Sequence, residues 1–577
     1  MTKRFLLFFF LQCLWNLQAI NAQNVDKRIQ KPGATQLQDN IKTAIKKGYA
    51  ASVLMWEYDT LQYSRMSAQF SGVVVSKGGE ILSAAHVVMP GKTYQVMFPD
   101  GKVCLARGLG RITIPPIFML PDAAMLKIIP KGDWPFVEMG WYSDVKINQP
   151  CISIAYPESM EQRKPDVRFG HITNLNNRYG FMESTCVMEP GDSGGPLFDL
   201  SGRLIGIHSG IERSEDINYE IPVDTYRKYY TALTRLENYT SLPLDTNVIS
   251  KNRPANDFPV AENPDKYFKS VDKRFKTTCV NIKSVIDGKE QTIAGTIFSL
   301  DNINVKAAFK NSDVVLTKSS MIGEDPFITL SGGKTIKANI IRRDRINDLA
   351  ILLPVSKLGK EGIRLGMLLA DTLSDNDLGS FLISLRADSP YCSSVLGSVG
   401  VSLPKKTSYG YLGAVARQKG QALLFTFIQP NSAAEAAGLT TGDELLAIDD
   451  KTVNDELDMF KALLKFRAGD TTLMTINHKG EKLIKKVALK YPPQKITNHP
   501  ADHFIGGKSI RKDGFGNVFV HDARIKPWEC GGAVFDITGK FLGINIARLS
   551  RTSTITIPAV AVNQFIVTAI YNTKVGN

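Results

Sequence analysis

After its first two dozen residues the chain has no apolar run long enough to cross a bilayer as a helix, which takes ~20 consecutive residues, so no membrane span is expected. Cysteine is scarce, at seven of 577 residues, with no CxxC pair and no metal-ligand spacing. That excludes a zinc scaffold and a disulfide-dense fold, and neither a metal nor an organic cofactor is expected. Charge of one sign is nowhere concentrated. The surplus of +14, which is 70 − 56, is spread along the chain. It predicts a solvated basic surface rather than a nucleic-acid stripe. Outside the cytoplasm, acidic cell-envelope polymers would suit it equally.

What is present begins with "MTKRFLLFFFLQCLWNLQAINAQN". Lys3 and Arg4 precede an apolar run from Phe5 to Trp15, and small and polar residues follow to Ala22. This is the pattern of a signal peptide over 1–22, and it predicts an exported protein, periplasmic or extracellular. Cys13 falls in the removed part, and Gln12 before it is a poor fit to a lipid-attachment site. Six cysteines remain, whose pairing sequence alone leaves open.

A chain of 577 residues is too long for one core, since single cores stop growing near ~250–300 residues. A short amphipathic helix is expected in "QLQDNIKTAIKKGYA" (36–50), and a helical lead-in is placed at 23–47. From Ala51 short apolar or alternating runs are parted by Gly, Pro, Asn and Asp, the pattern of strands joined by tight turns. A helical close follows in "DTYRKYYTALTRL" (224–236). The first domain is placed at 48–240 and a polar, Pro-containing linker at 241–266. The strand pattern then restarts, with "GTIFSLDN", "DVVLTKSSMIG" and "NDLAILLP" in the order of "SGVVVSKG", "EILSAAHVVMP" and "PDAAMLKIIP". "KPWECGGAVFDITGKFLGI" repeats "EPGDSGGPLFDLSGRLIGI". A whole domain is therefore duplicated. Asp122 to Ser193 spans 71 residues and Asp348 to Cys530 spans 182, so the second copy carries 182 − 71 = 111 extra, about one small domain. The second copy is placed at 267–400 and 492–577, with the insert at 401–491.

Three residues of the first copy suit acyl transfer. "SAAHVV" offers His86 at a strand end, "LPDAAMLKI" offers Asp122 at a strand start, and "EPGDSGGP" places Ser193 in a glycine-rich turn. A serine hydroxyl needs a base, and the base needs an orienting carboxylate. The glycines let the N–H groups of Gly191 and Ser193 converge on a developing oxyanion.

Together and in that order these motifs resemble the trypsin/chymotrypsin-like serine peptidases, most closely the HtrA/Deg-like branch. The resemblance implies a mainly β fold, with two trypsin-like double β-barrel domains and one α+β module. It assigns His86 as general base, Asp122 as its orienter and Ser193 as nucleophile. It frames the substrate pocket with Val187, His208, Ser209 and Gly210, and lacking an Asp near Val187, that pocket is expected to prefer small or medium apolar side chains. The branch usually has Asn before the serine, where this chain has Asp192. In trypsin-like zymogens that Asp pairs with a new N-terminus, yet no activation sequence precedes "MSAQFSGVVV".

The insert resembles an HtrA-type PDZ domain. Tyr411, Leu412, Gly413 and Ala414 match the loop that receives a peptide C-terminus, beside a helix expected over 456–466. In the second copy the base position falls on Ser320, Asp348 has nothing to orient, and Cys530 takes the nucleophile slot. Glu529 beside it would raise the thiol pKa. This copy reads as a degenerate barrel that carries the PDZ and does scaffolding work.

The expected function is a serine endopeptidase cutting unfolded polypeptides through an acyl-enzyme, in protein quality control, with peptide C-termini received at the PDZ. The rival is a non-catalytic peptide-binding adaptor. No nucleic-acid partner is expected, and oligomerisation is left open.

Overall fold

The strand-and-turn pattern closes into four barrels in the computed structural model, which describes residues 32–115, 120–160, 162–248, 265–286, 288–300, 312–330, 332–364, 372–493 and 497–572. The expected signal peptide lies outside them.

A helix, Pro32–Gly48, leads in. Leu37, Ile41, Ala44 and Ile45 make its buried face, the i, i+4, i+7, i+8 spacing of an amphipathic helix. The first barrel closes through strands Val103–Ile112, Thr93–Met97, Ser52–Asp59, Phe70–Val74, Glu80–Ala84 and Ala123–Ile128, the last pairing back on the first. The second closes through Met182–Ser184, Asn218–Pro222, Leu204–Ile211, Pro196–Phe198, Pro150–Ala155 and Asp166–Asn174. The helical close appears as two short helices, Val223–Lys228 and Tyr230–Leu233.

The duplication repeats this plan strand for strand. A third barrel runs Cys279–Ile286, Glu324–Thr329, Thr335–Asp344, Leu349–Pro354, Asp313–Lys318 and Lys289–Ser299. A fourth runs Phe381–Ser384, Cys392–Leu403, Phe515–His521, Thr554–Pro558, Phe541–Arg548 and Ala533–Asp536. The linker expectation runs partly outside the described residues, and its last two positions open a helix, Asp265–Phe275. The fold is mainly β, as the resemblance implied.

The insert enters after Leu403 and leaves before Phe515, which face each other on adjacent strands of the fourth barrel. Its sheet runs Ala414–Lys419, Ala422–Ile428, Glu444–Ile448, Thr471–His478, Glu481–Ala488. Asp513 anchors the entry, accepting hydrogen bonds from the backbone N–H groups of Lys406, Thr407 and Ser408. The insert has its own core around Leu412, Phe425, Leu445 and Met474. By contrast, one apolar cluster runs from Ile41 and Val53 through Ile154 to Phe381, Val518 and Ile566, so the first two barrels and the fourth share a core, to which Phe298 and Leu316 of the third also belong.

Candidate active site

The cleft between the first two barrels gathers the three chemistry-bearing residues. The strand Glu80–Ala84 runs into a single 3₁₀ turn, Ala85–Val87, which carries His86. Asp122 sits just before the strand Ala123–Ile128, and its backbone carbonyl accepts the Ala85 N–H at 3.0 Å. Asp122 Oδ1 accepts the backbone N–H of His86 at 2.9 Å, and its Oδ2 lies 2.8 Å from His86 Nδ1. On the other side of the ring, His86 Nε2 lies 2.9 Å from Ser193 Oγ. A continuous hydrogen-bonded chain thus joins carboxylate, imidazole and hydroxyl.

The Asp122 side chain is 8% exposed and the His86 ring 35%. Burial disfavours the imidazolium, but the Asp122 carboxylate, by charge and by hydrogen bond, outweighs it and raises the His86 pKa above its ordinary value. Ser209 adds a bond the sequence did not announce: its hydroxyl donates to Asp122 Oδ2 at 2.7 Å. Ser209 therefore steadies the carboxylate.

The turn before the nucleophile is shaped by glycine. Gly191 has φ +98°, and a Cβ there would sit 2.4 Å from the Tyr156 carbonyl oxygen. The Gly191 carbonyl is held by the Ser71 hydroxyl at 2.8 Å, and the Ser193 carbonyl by the Ser71 N–H at 2.9 Å. Among the described residues, neither the Gly191 nor the Ser193 N–H has an acceptor within the protein. Two convergent donors left free beside a serine are what an oxyanion site requires.

Asp192 already has a cationic partner. Arg168 clamps it from inside the barrel, Nη1 to Oδ2 at 2.7 Å and Nη2 to Oδ1 at 3.1 Å. Both side chains are buried, at 1% and 0% exposure. Arg168 Nη1 also donates to the Val187 carbonyl at 3.1 Å, fixing the strand before the loop. The forked geometry is the one guanidinium and carboxylate prefer. Sequence reading missed Arg168; the signal was a cation in a strand that had to be buried, together with an Asp in place of the usual Asn.

His208 is not a pocket wall. Its ring points into the barrel, Nδ1 at 2.7 Å from Glu220 and Nε2 at 2.7 Å from Ser153. Only its backbone serves the site, the carbonyl accepting the Gly194 N–H at 2.8 Å. Of the other two residues expected at the pocket, Val187 is buried and Gly210 half-buried.

The second copy keeps the scaffold and replaces the chemistry. Asp348 accepts the Ser319 N–H at its carbonyl and the Ser320 N–H at Oδ1, as Asp122 does in the first copy. Contrary to expectation, this carboxylate has partners: the Ser320 hydroxyl at 2.8 Å, Lys318 Nζ at 3.2 Å and Arg511 at 3.4 Å. Lys318 occupies the position of Ala84, and its buried ammonium fills the site, donating to the carbonyls of Arg511 and Ile546. Cys530 is fully buried. Burial raises its pKa, with Lys318 pulling the other way. Glu529 is not the cause; it caps the turn, accepting the Lys526 N–H at 2.8 Å.

In the insert, Ala414–Lys419 is an edge strand facing a helix, Glu456–Leu463, shorter than the expected 456–466. Val415 on this strand and Leu457, Phe460 and Leu464 in and just after the helix are exposed. Of the loop residues, Tyr411 has its N–H spent on the Lys490 carbonyl, and Ala414 pairs in the sheet with Ile428. The N–H groups of Leu412 and Gly413 have no acceptor among the described residues.

Comparison with known proteins agrees with these two modules. Residues 70–207 match the trypsin-like peptidase domain and residues 397–489 the PDZ domain. A probable periplasmic serine endoprotease, DegP-like, of Brucella suis is 23% identical over 422 residues, covering 70% of this chain and 69% of that protein. A DegP-like protein of Halomonas elongata is 31% identical over 164 residues, 27% of this chain and 32% of that one. Serine protease HTRA1 of Xenopus tropicalis is 29% identical over 170 residues, 28% of this chain and 35% of that one. A peptidase domain followed by a PDZ domain, in a chain whose curated relatives are named as serine proteases of this kind, makes it an HtrA-like serine endopeptidase.

Proposed function

We propose that this endopeptidase is exported, as its periplasmic relatives are named, and that it cuts unfolded polypeptides through an acyl-enzyme on Ser193. The observation that carries the reading is the unbroken chain Asp122–His86–Ser193, with links of 2.8 and 2.9 Å. Ser193 Oγ attacks the scissile carbonyl carbon while its proton passes to His86 Nε2. The carbonyl oxygen becomes an oxyanion facing the N–H groups of Gly191 and Ser193. The C–N bond breaks as His86 returns the proton to the leaving amine. Water then attacks the acyl carbon, giving one proton to His86, and the C–O bond to Ser193 breaks as His86 returns that proton to Ser193 Oγ, releasing the new carboxyl terminus. Asp122 holds the ring with Nδ1 protonated and stabilises the imidazolium.

The second copy is read as non-catalytic, its site closed by Lys318 around a buried thiol. The PDZ groove takes a substrate's C-terminus as an added strand along Ala414–Lys419, its carboxylate received by the N–H groups of Leu412 and Gly413. Val187 and Gly210 keep the pocket apolar and favour small or medium side chains.

A fluorophosphonate probe and casein cleavage test this reading on the full chain. The expected result is labelling and cleavage that are lost in Ser193→Ala and kept in Cys530→Ala. A chain that binds peptide C-termini but neither labels nor cleaves would be an adaptor, and the peptidase reading would fall.

A further inference from the structure

The second copy reaches across to the nucleophile loop of the first through buried polar groups. We propose that it is an intramolecular positioning partner, and that Ser398 and Thr552 hold the oxyanion donors of the catalytic barrels in register. The inference rests on the peptidase reading above and assigns the degenerate half a part in the reaction beyond carrying the PDZ.

The strand Cys392–Leu403 of the fourth barrel lies along Asp166–Asn174 of the second. At the contact the Ser398 hydroxyl donates to Asp166 Oδ1 at 2.8 Å. Asp166 Oδ2 lies 3.4 Å from Arg168 Nε, and Arg168 clamps Asp192, the residue before the nucleophile. All of these side chains except Ser398 are at most 1% exposed, and Ser398 is 4% exposed. Gly397 makes the approach possible: a Cβ there would fall 2.4 Å from Asp166 Oδ1 and 2.7 Å from the Val167 carbonyl oxygen.

A second contact is independent of the first. The Thr552 hydroxyl donates to Glu189 Oε2 at 3.0 Å, and the Glu189 N–H in turn donates to Asp192 Oδ2 at 2.8 Å. Asp522 clamps the same seam, accepting the N–H of Phe169 at 3.0 Å and of Val395 at 2.8 Å. Two routes from the second copy therefore converge on Asp192.

The physical consequence follows from burial. Asp166, Arg168 and Asp192 bring two carboxylates and one guanidinium into a buried seam. There the charges are poorly screened and every polar atom needs a partner. Take away the hydroxyls that complete the set, and the carboxylates re-orient toward other donors, moving Arg168 and Asp192 with them. The N–H groups at stake are those of Gly191 and Ser193, on either side of Asp192. Their direction matters in the transition state more than in substrate binding, so the effect belongs in kcat.

The test is the double variant Ser398→Ala, Thr552→Val in the full chain, with Gly397→Ala as a separate wedge and Thr552→Ser as the conservative control. Each is assayed for kcat and KM on a peptide substrate, for the rate of fluorophosphonate labelling, and for amide hydrogen exchange. In the double variant kcat and labelling fall about tenfold or more, the scale of one well-oriented hydrogen bond, with KM little changed. Amides of 186–195 exchange faster while those of the first barrel and the PDZ do not, Gly397→Ala does the same, and Thr552→Ser keeps the wild-type kcat. Unchanged kcat and unchanged exchange at 186–195 in both the double variant and the wedge would overturn the proposal, as would a uniform rise in exchange across the chain. Failure of the wild-type chain to label would overturn the peptidase reading instead, and exchange at 186–195 would still decide whether the second copy positions the loop.

Discussion

At the scale of single residues, the His86 ring is the group whose titration the activity follows. Its pKa is raised because Asp122 outweighs the cost of burial, and a general base works only when neutral. The acid limb of kcat/KM is therefore expected to have its midpoint above the ordinary imidazole value of about 6.5. In Asp122→Asn the raising influence is lost, so the midpoint moves down and kcat falls by about 10⁴-fold, the loss typical of a triad deprived of its carboxylate. A pH–rate profile of the two proteins checks both.

Arg168 and Asp192 make a second residue-scale case. Removing one partner of a buried ion pair costs roughly 3–5 kcal/mol, whereas removing both costs much less. Arg168→Met is thus expected to lower the urea midpoint sharply, and Arg168→Met with Asp192→Asn to recover only part of the loss, since Asp166, the other buried carboxylate on Arg168, keeps its charge. An equal loss in single and double variants would mean the pair has no special energetic role.

Much of the site could be read from the sequence because its members lie in distinctive local strings. "SAAHVV" and "GDSGGP" mark His86 and Ser193 within a few residues. Arg168 and Ser209 lie in ordinary strand sequence, and only the closing of the barrel brings them to Asp192 and Asp122. His208 was misjudged for a related reason. Strand alternation puts successive side chains on opposite faces, and at this position the face is the barrel interior. The partners of Asp348 were equally hidden, since Lys318 and Arg511 are 193 residues apart.

At the scale of elements, the two copies keep a buried polar cluster at matching strand positions and change its members. In the first it is Ser153, Ser184, His208 and Glu220. In the fourth barrel Asn545 and Thr556 take the places of His208 and Glu220, and the imidazole has moved to His521 on the neighbouring strand. Burial there pushes the His521 pKa down to about 4 from the ordinary 6.5. The unfolded chain then binds a proton that the folded chain refuses between these values, so stability is full above pH 6.5 and falls as pH drops toward 4. The loss is on the order of 3 kcal/mol for a shift of this size. Denaturant midpoints at pH 7 and pH 4.5 are expected to differ by less in His521→Gln than in the wild type.

At the scale of the whole molecule, the shared core decides how the chain comes apart. The catalytic barrels and the fourth barrel contribute to one apolar cluster, whereas the PDZ has its own. Cooperative units follow contiguous cores. Calorimetry is expected to show the catalytic and fourth barrels melting together and the PDZ in a separate transition. A catalytic pair that melts apart from the second copy would contradict the shared core. The duplication and the insert were legible in the sequence from the repeat and the 111-residue excess; the sharing of a core between copies was not, because it depends on faces that local patterns do not pair.

The PDZ hangs from two antiparallel neighbours, with Leu403 and Phe515 side by side at its stem. A pull on the insert is therefore split between both stems and drawn along the same direction. It slides the two strands past their outer partners, Phe381–Ser384 and Thr554–Pro558, instead of unzipping one from the other. Ladders loaded in that way yield only when several hydrogen bonds break at once, so the module is mounted to withstand a pull.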